Sequence, residues 1–410
     1  MNKEREKIIS EMLQKDDSKE GGLRVLVIGT DRSIFKLDSV ARGRMIEYGK
    51  LFQQLHIIIF TKRFQKFEIE QIAENVWIYP TRSWIRWLYP FDAVKVAKVE
   101  FGDFLPKIID VISVQDPFET AIAGLLIAKK FKLPLQIQVH TDFLNQYFLK
   151  GSFLNKIRII IGKYSLKRAD RIRVVSKSVK DSLLMNLGAN LESKIDILPI
   201  FVNTERLINT PASFDVRKKY PQFSFVILMA SRLEKEKNID LAVEVMKDLV
   251  RNYSKIGLVI VGDGREKNKL KRLVAEYGLE KNVIFEGWQN DLISYYKTVN
   301  VFLSTSFYEG YGLTIVEALT CGCPVISSDV GIASEMITDG ENGFVCPVAD
   351  KNCFKRKILE LIGKPSLRIS LSVNSREFTR DKPVESKDGY LSEYKRIMEK
   401  CVKLGDETTK

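Results

Sequence analysis

Two glutamates and two glycines lie close together in the segment SFYEGYGLTIVEAL, residues 306–319. Glu309 directly precedes Gly310 and Gly312, and the second acid, Glu317, follows eight positions after the first. Glycines let a backbone approach a ligand closely, and the amides at a helix N-terminus attract anions. Ionised carboxylates accept hydrogen bonds from sugar hydroxyls. The segment fits three interpretations: a plain helix start, a carboxylate pair for acid–base chemistry, or a pocket for a polyhydroxylated, phosphorylated ligand.

A second charged segment, SRLEKEKN at residues 231–238, directly follows the apolar run FSFVILMA. It contains Arg232 and Lys237, and Asn238 is predicted to cap the helix that follows. The planar fork of an arginine and the point charge of a lysine both suit a diphosphate. In isolation, the segment is equally typical of an exposed charged loop.

The chain has two histidines, and His140 stands where the apolar run LQIQV ends. A histidine in a strand is usually a core residue. At the carboxyl end of a parallel strand it faces the ligand side of the sheet, so His140 is a candidate ligand contact. His56, at the start of HIIIF, is predicted to be structural. Gly29 follows the first apolar run and is expected to face the same side as His140.

Short apolar runs alternate with amphipathic segments along most of the chain, which predicts βα units and parallel sheets. The alternation restarts after a polar stretch near 200–218. The predicted fold class is therefore α/β, with two doubly wound, Rossmann-like domains facing a central cleft. An early helix is predicted at 39–55. The strand VNVFLST is predicted to end at about Thr305 and the next helix to begin near Leu313, which places the first glutamate in a loop at a strand's carboxyl end.

The composition is that of a globular protein, with 45% hydrophobic and 29% charged residues. A length of 410 residues predicts two domains. Five cysteines, an odd number, argue against a disulfide framework and for a reducing compartment. Cys321 and Cys323 are expected in the core, because no second cysteine pair and no nearby histidine accompanies them as zinc ligands. The start of the chain has no apolar signal segment, so a cytoplasmic protein is expected.

Several motifs occur in a fixed order: SRLEKEKN, VGDG, NVIFEGW, EGYGLTIVEA and GCPVISSDVGIASEMITDGENGFV. Together they resemble the retaining nucleotide-sugar glycosyltransferases of family 4, which have the GT-B fold. The resemblance is strong over about 195–363 and diffuse over the first half. With the alternation of elements, it implies a polar N-terminal appendage, an acceptor-side domain, a nucleotide-sugar-binding domain and a C-terminal helix that packs back on the first domain. Their expected bounds are 1–22, 23–205, 206–380 and 381–410.

The resemblance assigns roles to residues of the matching motifs. Arg232 and Lys237 would hold the donor diphosphate. Glu309 and His140 would contact the donor sugar, so these four residues are the candidate catalytic set. Glu317 would bind the ribose hydroxyls. The remaining donor-binding candidates are Gly29, Gly262, Gly287, Trp288, Gly310, Tyr311, Gly312, Leu313 and Thr314.

The chain departs from the family pattern at two places in its first half. The loop GTDRSIF has Gly29 where the family has a glycine pair. His140 precedes Thr141, where the family often has aspartate or glycine. The first departure concerns contacts on the acceptor side of the cleft, and the second concerns the histidine that would contact the donor sugar.

The resemblance implies a nucleoside-diphosphate sugar as donor, a glycan or lipid-linked molecule as acceptor, and no cofactor. The departing diphosphate gains negative charge, which Arg232, Lys237 and two helix N-termini would stabilise. No pair of carboxylates is placed to ligate a metal, so metal-independent hexosyl transfer with retention is expected. One alternative is a nucleotide-sugar epimerase or hydrolase on the same scaffold. The net charge of +13 raises another, a nucleic-acid-binding protein, although no helix-turn-helix, zinc-finger or RNA-binding motif is visible.

Two segments of the first half indicate contact with an anionic membrane. Three lysines of a helix predicted at 153–167 fall within about 40° of one another. The segment TRSWIRWLYPF interleaves arginines with aromatic residues, which favour a membrane–water interface. The prediction is a peripheral protein on the inner face of the cell membrane; the alternative is a solvated basic helix and buried aromatic residues. The candidate membrane residues are Trp84, Arg86, Trp87, Lys156, Lys163 and Lys167.

Overall fold

The computed structural model of this chain describes residues 22–381 and 386–408. Except for Gly22, the predicted N-terminal appendage lies outside the described residues. Two α/β domains make up the described chain, each with its own sheet of mainly parallel strands. The predicted fold class is confirmed.

The first sheet has eight strands, four of them buried at every residue, as expected when helices cover both faces. They are β1 (Arg24–Gly29), β2 (Gln54–Ile59), β3 (Glu70–Ala73), β4 (Val76–Pro80), β5 (Val111–Val114), β6 (Leu135–Val139), β7 (Arg171–Val174) and β8 (Ile195–Ile197). Their order is β3-β4-β2-β1-β5-β6-β7-β8, and the β3–β4 pair is antiparallel. The chain order reverses between β1 and β5.

The second sheet has six parallel strands. They are β9 (Phe225–Ala230), β10 (Ile256–Val261), β11 (Val283–Gly287), β12 (Val301–Ser304), β13 (Val325–Ser328) and β14 (Phe344–Cys346). Their order is β11-β10-β9-β12-β13-β14, so the reversal falls between β9 and β12. In open parallel sheets, ligands bind beyond the carboxyl ends of the strands at such a reversal.

Helices cover both sheets. Those of the first domain are α1 (Val40–Gly49), α2 (Tyr89–Phe101), α3 (Leu105–Ile108), α4 (Glu119–Phe131), α5 (Gln146–Gly151), α6 (Phe153–Arg168) and α7 (Lys177–Leu187). Two short helices follow in the connecting segment, α8 (Thr204–Asn209) and α9 (Val216–Lys219). Those of the second domain are α10 (Ile239–Val250), α11 (Lys267–Glu276), α12 (Leu292–Thr298), α13 (Leu313–Thr320), α14 (Ala333–Met336), α15 (Lys351–Gly363) and α16 (Pro365–Asp381).

The C-terminal helix, α17 (Lys387–Thr408), lies against the first domain. Tyr390, Tyr394, Ile397 and Met398 are buried in one cluster with apolar side chains of β1, β2 and β4. The last helix of the chain thus completes the core of the domain formed by the first half.

Two local predictions differ from the structure, and several elements were not predicted, among them β3, β4, β14 and the short helix α12. Helix α1 ends at Gly49, well before residue 55, because Gly49 packs so closely on Val76 that a Cβ would lie 2.3 Å from Cγ2 of that valine. Asn238 occupies the N-cap position of α10, but its side chain makes no capping bond, because its backbone is left-handed with φ of 47°. The short helix α12 was not predicted; five of its seven residues are buried, so it has no amphipathic pattern.

The cysteines are partly paired. Cys346, at the end of β14, forms a disulfide with Cys353 in the first turn of α15, which the odd count did not predict. The turn between the two elements brings the two side chains together. Cys321 and Cys323 are free and buried, as predicted. Over residues 22–381 and 386–408, no helix combines the length and the apolar character needed to cross a membrane.

Candidate functional site

The loops beyond the carboxyl ends of both sheets border one cleft, which holds a cavity of about 630 Å³. His140, directly after β6, lines it from the first domain. Ser231, Gly262 and Trp288 follow β9, β10 and β11 and line it from the second. A ligand in this cavity would therefore contact both domains.

Lys237 and Glu309 form an ion pair on the second-domain side of the cavity. Lys237 ends the 3-10 turn that follows β9, and Glu309 lies in the loop between β12 and α13. Lys237 Nζ contacts Glu309 Oε1, and the same oxygen accepts a hydrogen bond from Ser306 Oγ at 2.8 Å. The backbone amide of Phe307 donates to the carbonyl of Glu236 at 2.8 Å. These bonds place a cation and a carboxylate side by side where the strand order reverses.

Arg232 lies at the rim of the same cavity. Its side chain is 68% exposed, and Nη2 lies 3.2 Å from Oε1 of Glu236. Such exposed ion pairs contribute little to stability. The guanidinium can therefore turn from Glu236 to an anionic ligand at small cost.

Gly310 brings the loop after β12 against the first domain. A Cβ on Gly310 would lie 1.7 Å from the carbonyl oxygen of His140. Ser176 Oγ donates a hydrogen bond to the carbonyl of Gly310 at 3.0 Å across the same boundary. Gly312, with φ of 99°, is the N-cap of α13, and the helix begins at Leu313 as predicted. The first turn of α13 consequently opens onto the cavity, where Leu313 and Thr314 line the wall together with Tyr311.

Gly262 joins the loops after β9 and β10. Its φ is 137°, and a Cβ there would lie 1.9 Å from the carbonyl oxygen of Ser231. Its amide donates to the carbonyl of Gly287 at 2.7 Å. Trp288 follows, and with Gln289 it lines the cavity. The three loops form one continuous wall.

His140 is a half-buried, neutral histidine. Burial lowers its pKa to about 3, and the positive charges of Arg173 and Arg44 act in the same direction. Its Nε2 lies 3.1 Å from Oε1 of Gln138. At neutral pH the uncharged ring can therefore donate one hydrogen bond and accept another.

Three predicted donor-binding residues are absent from the cavity lining. Gly29 lies at the end of β1, where a Cβ would meet the side chain of Gln115 at 3.0 Å. Gly287 directly precedes the lining residue Trp288, and its carbonyl accepts the hydrogen bond from the Gly262 amide. Glu317 is on α13, and its Oε2 accepts a hydrogen bond from the Tyr296 hydroxyl at 3.0 Å. Burial raises the pKa of Glu317 above its usual value.

Several residues of the cavity lining were not predicted from the sequence. On α6, Asn155 and Arg158 are three positions apart and so share a face. Their position on the second helix after His140 was the available signal. Arg158 Nη2 lies 3.0 Å from Oε1 of Glu119. The others are Thr141, Phe148, Ile200, Ala230, Ser231, Glu236, Val261, Gln289, Leu292 and Tyr308.

The candidate membrane residues lie outside the cavity lining. Trp84, Trp87 and Phe91 are 71%, 60% and 60% exposed, whereas Tyr89 is buried, so the alternative of buried aromatic residues is wrong for three of the four. Arg86 Nη2 lies 2.7 Å from Oε1 of Glu119, the same oxygen that binds Arg158 of α6. The aromatic segment and α6 therefore meet at the start of α4. Lys156 and Lys167 are exposed on α6, and Lys163 is half-buried.

No cluster of three or more histidine, cysteine, aspartate or glutamate side chains that could hold a metal ion occurs within the part of the chain that the structure describes. The positive charges in the cavity wall belong to arginine and lysine side chains, such as Arg232 and Lys237. Metal independence stays a prediction.

Two family models match the chain. The model for Glycosyltransferase Family 4 matches residues 53–206, and the model for Glycosyl transferases group 1 matches residues 214–378. Together they span most of the chain and divide at the segment between the two sheets.

Individual relatives agree with these matches. An uncharacterised glycosyltransferase of Methanocaldococcus jannaschii is 26% identical over 83% of this chain and 88% of its own length. The alpha-monoglucosyldiacylglycerol synthase of Streptococcus pneumoniae is 25% identical over 70% of this chain and 71% of its own length. The solved structure of Anabaena HepE in complex with UDP-glucose has a TM-score of 0.70 at 18% identity, over 90% of this chain and 99% of that one. This last likeness shows a shared fold.

Proposed function

Because this chain belongs to the glycosyltransferases of family 4, we propose that it transfers a hexose-type sugar from a nucleoside-diphosphate sugar to a glycan or lipid-linked acceptor. The product would serve polysaccharide or cell-envelope assembly. The complex of HepE with UDP-glucose supports the donor class. The relative that synthesises a glucosyldiacylglycerol supports a lipid acceptor.

One observation carries the proposal: Lys237, Glu309 and Arg232 line the same cavity at the strand reversal of the second sheet. A diphosphate placed there would meet the two cations and the N-terminus of α13. Each stabilises the charge that the leaving group gains. The free lone pairs of the Glu309 carboxylate would accept hydrogen bonds from sugar hydroxyls.

The reaction would proceed with retention of the anomeric configuration. The bond between the anomeric carbon and the phosphate oxygen breaks, and the acceptor oxygen bonds to the same face of that carbon. The acceptor proton passes to the departing phosphate oxygen. The protein then holds charges and hydroxyls in place, and no side chain has to act as a general base.

Metal independence is part of the proposal, because Arg232 and Lys237 supply fixed positive charge where a divalent cation would otherwise bind the diphosphate. Turnover is expected to survive EDTA. Complete loss in EDTA that manganese restores would contradict this part.

The donor site is tested in two stages. A thermal-shift panel of UDP-, GDP- and ADP-sugars first identifies the donor, and products formed with lipid-linked acceptors are identified by mass spectrometry. Turnover of the Arg232→Ala, Lys237→Ala and Glu309→Gln variants is then measured with that donor. Each variant is expected to lose about a hundredfold or more in kcat, as when one preorganised electrostatic contact is removed from an active site.

Lys235→Ala is the matched control, because Lys235 is exposed in the same 3-10 turn as Lys237 and does not line the cavity. It should keep wild-type turnover. Near-normal turnover of all three site variants at saturating donor would overturn the proposed site. Release of free sugar, or a changed sugar without transfer, would instead favour a hydrolase or an epimerase.

The acceptor side is proposed to meet an anionic membrane from the cytoplasmic side. The exposed Trp84 and Trp87 lie beside α6, because Arg86 and Arg158 bind the same carboxylate. Apolar side chains such as Phe153 are also exposed at the start of α6. Aromatic and cationic side chains together favour the interface of an anionic bilayer.

A further inference from the structure

A buried polar chain leads from His140 into the first sheet. Gln138 and Arg173 are register partners on the neighbouring strands β6 and β7. They are 3% and 4% exposed. A buried guanidinium is costly unless hydrogen bonds satisfy it. The groups that accept hydrogen bonds from Arg173 therefore show how its buried charge is accommodated.

Arg173 binds three kinds of acceptor. Nη1 donates to Oε1 of Gln138 at 2.9 Å. Nη2 donates to the carbonyls of Leu198 and Pro199 at 3.2 and 3.3 Å. The hydroxyl of Tyr390, on the C-terminal helix α17, accepts a further bond from Nη2 at 3.0 Å. These hydrogen bonds hold the guanidinium next to one end of the Gln138 side-chain amide.

These contacts determine which way the Gln138 amide points. An arginine only donates, so the atom of Gln138 that faces it must be the oxygen. The amide nitrogen then donates to Ser113 Oγ at 3.0 Å and lies 3.4 Å from the hydroxyl of Tyr394 on α17. The two hydroxyls can donate or accept, so the donor of Arg173 decides the orientation.

The orientation of Gln138 sets the protonation of His140. Nε2 of His140 lies 3.1 Å from the same oxygen, which accepts and cannot donate, so Nε2 carries a hydrogen. The ring is neutral, so Nδ1 is the nitrogen with the lone pair. Among the described residues, Nδ1 has no hydrogen-bond partner, and His140 lines the cavity.

We propose that Gln138, held by Arg173, is a positioning residue that fixes His140 as its Nε2–H tautomer and leaves Nδ1 to accept a hydrogen bond from a hydroxyl of the donor sugar. The role at the sugar rests on the proposed function; the tautomer does not. Tyr390 and Tyr394 connect Arg173 and Gln138 to the last helix, α17. A segment far from the cleft in sequence thus contributes to the geometry of the site.

The tautomer can be read directly, because the chain has two histidines. In the ligand-free protein labelled with ¹⁵N-histidine, long-range proton–nitrogen spectra at neutral pH distinguish Nε2–H from Nδ1–H, and a His56→Gln variant assigns the two rings. Wild-type His140 is expected to be Nε2–H. Gln138→Leu removes the acceptor and should give a mixture of tautomers. Gln138→Glu keeps an oxygen at the same place and should restore Nε2–H.

Kinetics with the donor from the panel separate positioning from stability. Gln138→Leu is expected to lower kcat/KM about tenfold, the effect of one hydrogen bond, and Gln138→Glu to stay within about threefold of wild type. Gln136→Leu is the matched control. Gln136 is a fully buried glutamine on the same strand that binds Ser113 and touches neither His140 nor Arg173. It should keep wild-type turnover and tautomer.

An Nδ1–H tautomer in the wild-type protein would overturn the proposal, whatever the enzyme's activity. Equal decreases of kcat/KM in Gln138→Leu and Gln136→Leu would mean that Gln138 has only a structural role. If no sugar nucleotide binds or turns over while His140 is Nε2–H, the proposed function fails and the tautomer assignment stands.

Discussion

Burial keeps both histidines of the chain neutral. His56 is fully buried, with Nδ1 at 2.9 Å from the Tyr79 hydroxyl and Nε2 at 3.2 Å from Gln54 Oε1. Its ring also stacks on Trp77 at 4.8 Å between centroids. Burial lowers the pKa of His56 to about 3. Its predicted structural role agrees with these contacts, which leaves His140 as the histidine that lines the cleft.

The depressed pKa of His56 predicts acid sensitivity. In the unfolded chain its pKa is about 6.5, so between about 6.5 and about 3 only the unfolded chain binds the proton. Stability is therefore fully present above pH 6.5 and falls as the pH decreases through this window, by about 1.4 kcal/mol per pH unit for one histidine. Thermal unfolding of wild type and His56→Gln between pH 7 and pH 4 measures the difference.

The slope of Tm against pH should be steeper for wild type than for His56→Gln. A constant destabilisation of the variant does not affect this comparison. Parallel slopes would mean that His56 is protonated in the folded protein. Asp116, whose pKa burial raises to about 6, makes stability increase as the pH falls. This contribution is the same in wild type and in His56→Gln, so it does not affect the difference between their slopes.

At the scale of elements, α6 and the loop that precedes α2 are neighbours beside the cleft. Glu119, the first residue of α4, joins them through Arg86 and Arg158. One turn after Lys156 on α6, Ile160 is 70% exposed, and none of the isoleucines of this helix is fully buried. The surface of these two segments combines exposed apolar and basic side chains on the acceptor-side domain.

This surface predicts binding to anionic vesicles. Wild-type protein should sediment with vesicles of phosphatidylglycerol and phosphatidylcholine, less so as salt increases, since each near-surface cation contributes about 1 kcal/mol. Replacing Lys156, Lys163 and Lys167 together by glutamate should abolish binding. Trp84→Ser combined with Trp87→Ser should weaken it without changing its salt dependence.

Ile369→Ser is the control, because Ile369 is 66% exposed on α16 of the second domain. It should bind vesicles like wild type. Equal failure of wild-type protein to bind neutral and anionic vesicles would remove the membrane proposal and point to a soluble acceptor. The donor site would be unaffected by that result.

At the scale of the whole molecule, the two domains touch where catalysis is proposed. Gly310 of the second domain lies against the His140 carbonyl of the first, and Ser176 Oγ donates to the Gly310 carbonyl. The amide of Ser178 likewise donates to Glu335 Oε1 at 3.1 Å. The contact between the two domains thus includes a close approach of their backbones at Gly310 and His140.

Gly310→Ala is expected to hold the domains apart. The φ of Gly310 is not in the left-handed region, so the obstacle to a methyl group is the His140 carbonyl, whose oxygen would lie 1.7 Å from the added Cβ. Because the domains can separate to relieve the clash, Tm should stay within about 2 °C of wild type while kcat falls about tenfold or more. Turnover and thermal unfolding measure the two effects.

Gly43→Ala provides the control, because a Cβ on this helical glycine would have no atom within 4 Å. It should retain activity and gain slight stability, as expected for glycine replaced by alanine in a helix. Wild-type kcat in Gly310→Ala would show that the reaction does not need this approach of the domains.

The sequence by itself determined most strands of the two sheets and the start of α13. Strands buried on both faces are continuous apolar runs, and the glycines before Leu313 mark a loop followed by a helix, so both signals are local. The candidate residues Arg232, Lys237, Glu309 and His140 follow strands, and strand ends in parallel sheets meet at one edge. Their shared position in the cleft was therefore predictable, whereas their roles stay predictions.

Only the tertiary structure decided which residues oppose one another across the cleft. The approach of Gly310 to His140, the shared carboxylate of Glu119 and the bonds from Arg173 to Gln138 and Tyr390 each join segments far apart in the chain. Helix α12 and the early end of α1 also depend on burial against other segments. Periodicity and spacing report each segment's own conformation, but such contacts depend on how folded elements are placed, which no local pattern encodes.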